Sequence, residues 1–147
     1  MLAEATIGAG SALGEPVVVD RGLDMLDWLL DHETRGGHLS VTASGGADRH
    51  TVAPQFDQQP IEVAALADAC WTAFALTGSR RYADAIALAA AWFAGTNDVG
   101  AVMHDPATGG GYDGLTASGV NVNQGAESTI AFVSTMQPAA VGSAAQR

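Results

Sequence analysis

GGGYDGLTASGVNVNQGAESTIAF, residues Gly109 to Phe132, passes from a glycine-rich loop into a helix whose first turn carries Gln124 and Glu127. An earlier stretch, Phe56 to Ala67 (FDQQPIEVAALA), has the same design: a polar run, then Gln59, Pro60 and Glu62, then small and apolar residues. Each reads Gln-x-x-Glu at a helix start just after a loop. The spacing of the two copies suits one looped helical hairpin, so an internal repeat is read here. Repeated helices that present polar groups at the same end can build one shared pocket.

Around these two stretches the chain reads as helices. Asp20 is an N-cap candidate for a first helix. Its apolar stripe is Leu23, Leu26 and Leu30, and its acidic face is Asp24, Asp27 and Asp31. Gly36-Gly37 is the stop signal. A second helix runs from Pro60, a residue suited to the first helical position, to Leu76. Ser79 caps a third helix, Arg80 to Ala94, and the two-residue break between them predicts an antiparallel αα-hairpin. A fourth helix spans Gln124 to Met136, with Pro138 as its stop.

Long loops fill 38–58 and 96–122. Loops of that length are uncommon in compact domains unless they function, and the first carries His38, Asp48, Arg49, His50 and Asp57. No strand alternation stands out; Val17, Val18 and Val19 offer at most a short strand. The expected organisation is a flexible segment over 1–19, one all-α domain over 20–137, and a flexible tail over 138–147.

Bulk properties exclude several function classes. A hydrophobic content of 48% supplies enough apolar surface for a core. The net charge is −10, and the cations besides histidine are six arginines. Nucleic acid and anionic membrane surfaces are therefore not expected partners. Cys70 is the sole cysteine and sits in an apolar helix, so it reads as a small buried hydrophobe. The first residues lack the cationic and apolar regions of a signal peptide, and no segment has the run of about 20 apolar residues that spans a bilayer. A cytoplasmic protein is the expectation.

Read together, FDQQPIE, HDPATGGGYDGL and GVNVNQGAEST resemble the last part of a six-hairpin (α/α) barrel domain of the glycosidase-like superfamily. Such bacterial domains are often associated with glycosyltransferase modules. The resemblance covers roughly residues 23–136 and implies a toroid in which inner helices start at the barrel mouth. The long loops before those helices would line a carbohydrate-sized cleft. A full barrel needs twelve helices and four are read here, so the implied fold is all-α: helical hairpins forming a partial (α/α) barrel. Its open flanks would call for a partner chain or homo-oligomer.

The implied function is a carbohydrate-active, glycosidase-like domain. Two alternatives are a non-catalytic glycan-binding or scaffolding module of a larger carbohydrate enzyme, and a sugar epimerase or lyase. Glycoside hydrolysis uses two carboxyl groups, one of them kept protonated by burial or a neighbouring carboxylate. The acidic set is Glu62, Glu127, Asp57 and Asp113, with acid and base unassigned. The substrate-binding set is Gln59, His104, Tyr112, Asn123 and Gln124. Tyr112 offers a stacking face, and Asp57 and Asp113 offer acceptors for sugar hydroxyls.

Structural readings compete. Each glutamate falls near N3, where it can close a capping box or complement the helix dipole. Asp57, Asp113 and Asn123 also suit turns and caps. The spacing of His104, Asp105 and Asp113 fits neither an EF-hand nor a zinc signature. GGGYDG lacks the Lys-Ser/Thr of a phosphate loop. No metal or cofactor is expected.

Overall fold

Two helices, α1 (Leu2–Leu13), built largely of small residues, and α2 (Pro16–Glu33), open the chain as a hairpin. The computed structural model describes residues 1–46, 50 and 53–145, with side chains through 140. Asp48 and Arg49 therefore lie outside the described residues. Gly14, at φ 69°, reverses the chain after α1, and its N–H bonds back to the carbonyls of Gly10 and Ser11. Pro16 then starts α2.

The segment read from sequence as flexible is thus a docked helix, and Val17 to Val19 lie in α2 rather than in a strand. The buried residues Ala3, Ile7 and Gly10 do follow a helical period. Ala and Gly, however, give that period little apolar contrast.

What docks α1 is the absence of side chains. A Cβ on Gly22 would stand 2.7 Å from Ile7 Cγ1, 2.8 Å from the Ile7 nitrogen and 3.1 Å from the Ala3 carbonyl oxygen. Gly22→Ala gains about 1 kcal/mol of helix propensity. The overlap with backbone costs about 1–3 kcal/mol or more, because neither helix can yield locally. A net loss of up to about 2 kcal/mol is expected in urea unfolding. At Gly8 a Cβ meets nothing within 4 Å, so Gly8→Ala is expected to stabilise. Equal effects at the two sites would mean that α1 and α2 do not pack this way.

The centre of the molecule is α3 (Pro60–Thr77). Val63, Leu66, Ala67, Cys70 and Ala73 are buried on it, and Gly78 at φ 66° ends it. Burial pushes the Cys70 thiol up to about 12, leaving it protonated and inert. Next, α4 (Arg80–Phe93) buries Tyr82, Ile86, Ala89, Trp92 and Phe93. Arg81 ties α4 to α2 through Asp27 (2.9 Å) and Asp31 (2.8 Å). These are exposed pairs that orient the helices more than they stabilise them.

The last helix, α5 (Ala126–Ala145), runs through Pro138 instead of stopping at it. An internal proline costs about 3 kcal/mol. Met136 and Ala139 pack against the core on either side of it, so tertiary burial carries the helix across. The reading of residues 138–147 as a tail is corrected over 138–145.

Helix α3 touches α1, α4 and α5; α1 also packs on α2, and α4 on α5. Helices α1, α3 and α5 thus form a row, with α2 behind α1 and α4 behind the α3–α5 pair. The chain is mainly helical, but not without strands. β1 (Thr34–Arg35) and β2 (His38–Leu39) pair antiparallel, as do β3 (Gly114–Thr116) and β4 (Gly119–Asn121). Gly36-Gly37, read as a helix stop, is the two-residue turn of the first hairpin, with φ of 55° and 85°. Positive φ at both central residues is what a tight hairpin needs. No helix among the described residues is long and apolar enough to cross a membrane.

Candidate functional site

The two long loops meet at the end of the row where α3 and α5 begin. Gln58 N–H donates to the Leu115 carbonyl (3.0 Å), and Leu115 N–H donates back to Gln58 (2.9 Å). Ala43 bridges to Gln58 from the other side. This small sheet sets Gln59 opposite Gly114 in the register and fixes the loops to each other. The loop pairing is what brings the predicted residues to one end of the fold.

Their roles then diverge. Asp57, Glu62 and Glu127 are exposed. Their carboxylates make no hydrogen bond among the described residues, so they remain free to accept one. Neither glutamate closes a capping box. Gln59 stands at the N-cap of α3, again without a side-chain cap bond. The second loop, by contrast, is clasped to the start of α5. Asp113 accepts hydrogen bonds from Gly125 N–H (2.7 Å), the Ser128 hydroxyl and the Asn123 amide. Gln124 donates to Asp105 (3.2 Å) and accepts from Thr108 (2.8 Å).

The Ser128 hydroxyl and Gly125 N–H hold the Asp113 carboxyl below the ordinary aspartate range. Asp105 is held low too, by Ala107 N–H and the Gln124 and Thr108 side chains. Asp113, Asn123 and Gln124 are thereby engaged in holding a loop, and Asp113 is kept in the form that cannot donate a proton.

The glycines explain why that clasp can close. A Cβ on Gly111 would lie 2.4 Å from the Ser128 carbonyl oxygen and 3.0 Å from Thr129 N. Tyr112 is half-buried against the core. His104 stacks on Phe132, with ring centroids 4.6 Å apart and 8° between planes. Its Nδ1 is buried and makes no hydrogen bond among the described residues, and both the His104 and Tyr112 rings are half-buried.

Two groups beyond the sequence-read site set complete this end. Glu33, at the last turn of α2, is 6% exposed and accepts Thr42 N–H at 3.1 Å. Burial pushes its carboxyl up, the Thr42 bonds oppose this, and the charge of Glu62 pushes it up further. Glu33 is thus the carboxyl of the loop end held toward its protonated form. Its sequence signal is faint, since it simply ends an acidic helix.

The second group is a buried chain. Asp98 accepts from His38 Nε2 (3.0 Å) and Gln58 Nε2 (2.6 Å). Gln58 also accepts from the Trp92 indole N–H (3.3 Å). Burial pushes the Asp98 carboxyl up, but hydrogen bonds from Gln58, His38 and Ser40 outweigh it and hold it low. The chain joins both loops to α4.

No protein-family model and no curated protein matches the sequence.

Proposed function

We propose that this chain is a carbohydrate-active, glycosidase-like domain built as part of an (α/α) barrel. One observation carries the reading. Both long loops are fixed together at the starts of α3 and α5, and that end presents Asp57, Glu62 and Glu127 with their carboxylates unspent. Carboxylates free to accept, on a rigid platform beside Gln59, suit the hydroxyls of a sugar. The helix order supports the architecture, because α1, α3 and α5 lie in a row with α2 and α4 behind. Exposed Trp28 and Met25 on one flank are where further helices of a barrel, supplied by another chain, would pack.

For hydrolysis the acid would be Glu33 and its carboxylate partner Glu62, an assignment the resemblance alone does not make. The engagement of Asp113, Asn123 and Gln124 in the α5 clasp favours a second reading, a glycan-binding module without turnover. Thermal unfolding against a panel of neutral mono- and oligosaccharides tests the shared element. A bound sugar at 100 times its Kd is expected to add about 2.7 kcal/mol, and the shift should shrink in Glu62→Gln. A flat response across the panel removes the carbohydrate reading. Release of reducing sugar by the wild type, lost in Glu33→Gln, separates enzyme from binder.

A further inference from the structure

Two turns down from the loop end, α3 and α5 enclose a groove of about 320 Å³. It is lined by Asp68, Trp71, Ser134, Gln137 and Pro138. At about 1.5 Å of rise per residue, Trp71 lies roughly 13 Å along α3 from Glu62, so the groove is separate from the loop end. Its composition is unlike an ordinary helix seam. Trp71 is half-buried, with Phe74 at a tilted 6.2 Å contact. The Trp71 indole N–H, the Asp68 carboxylate and the Gln137 amide make no hydrogen bond among the described residues. The Ser134 hydroxyl donates to the Ala131 carbonyl at 3.1 Å and keeps its acceptor capacity. An aromatic wall with several convergent, unspent polar groups, at the lower end of ligand-pocket size, is the pattern of a small-molecule site.

We infer that this groove is a sugar-binding subsite, with Trp71 as the stacking platform and Asp68, Gln137 and Ser134 as partners for ring hydroxyls. The inference rests on the carbohydrate reading above and names where a ring would sit. Trp28, the exposed tryptophan, is a poorer platform, because His32 already covers it at 5.1 Å and 8°. Charge narrows the ligand class. Glu4 acts on Asp68 across the α1–α3 contact, and the chain carries a net −10. A neutral hexose or an amino sugar fits, and a uronic acid is repelled.

The test uses the full chain in a Trp28→Phe background. Trp71 then reports by fluorescence, while Trp92 is fully buried. The probes are methyl glucoside, methyl mannoside, N-acetylglucosamine, glucosamine and glucuronate. A saturable change in emission with a neutral or amino sugar, and none with glucuronate, is expected. Read by sugar-dependent thermal stabilisation, which does not need the Trp71 reporter, Trp71→Leu and Asp68→Asn should each weaken binding about tenfold, the loss of one stacking or hydrogen-bonding contact. Trp71→Phe should retain most of it, and circular dichroism checks that each variant folds. If a sugar stabilises the protein while Trp71 emission and the Asp68→Asn affinity stay unchanged, the subsite is wrong and the loop-end reading stands. If no sugar in either panel binds, both fall together.

Discussion

Trp92→Ala is expected to cost about 4 kcal/mol of unfolding free energy, the range for removing a fully buried large aromatic. Trp92 is 0% exposed and meets Phe93 edge-on at 5.1 Å. Removing it leaves a cavity at the end of α4 and takes the indole N–H from Gln58 Oε1. That amide is itself fully buried, so its oxygen is stranded, and the loop pairing at Leu115 loosens with it. Urea unfolding should therefore show a lower midpoint, and amide exchange should speed up at Gln58 and Leu115. Trp92→Phe isolates the hydrogen bond and the smaller volume change, so its loss should be well under half as large. Comparable losses in the two variants would mean that packing contributes little here.

The second large effect is predicted for Asp98→Ala, about 3 kcal/mol at neutral pH. The Asp98 side chain is 4% exposed, and its removal strands donors on His38, Gln58 and Ser40. Each unpaired buried donor costs about 1–3 kcal/mol, partly relieved because Gln58 still reaches the Gln55 carbonyl at 3.2 Å. Asp98→Asn supplies the pH dependence. The folded-state carboxyl sits below its ordinary value. Its stabilising contribution is therefore present above the unfolded pKa of about 3.9 and is lost as pH falls through the lower folded value. Wild type should exceed Asp98→Asn in stability at pH 6, and the gap should narrow below about pH 4. A gap that is constant or widens on acidification contradicts the network.

Much of the fold was legible because helix ends are written locally. Pro60 and Gly78 bound α3 where their chemistry says they should, and Ser79 stands at the N-cap of α4, though without a side-chain cap bond. The misreadings each have one cause, a local signal overridden by packing. α1 forms from small residues because Gly10 and Gly22 let two helices approach closely. α5 passes Pro138 because Met136 and Ala139 on either side of it pack against the core. Gly36-Gly37 stops a helix in principle, yet serves as a hairpin turn because β2 packs against α4.

The candidate site divides along the same line. By itself the sequence determined that the chain is mainly helical, and that two long polar loops precede two glutamate-bearing helix starts. Propensity, capping residues and apolar period act within a few residues, and a sequence displays them directly. Only the tertiary structure decided which carboxyls are free and which are engaged. Asp113 lies 2.7 Å from the Gly125 nitrogen, Asp98 joins His38 to Gln58, and Glu33 is buried beside Thr42. Asp68 and Trp71 share a groove with Gln137. Protonation and ligand access depend on burial and on partners brought from distant segments, and those distances exist only once the helices have packed.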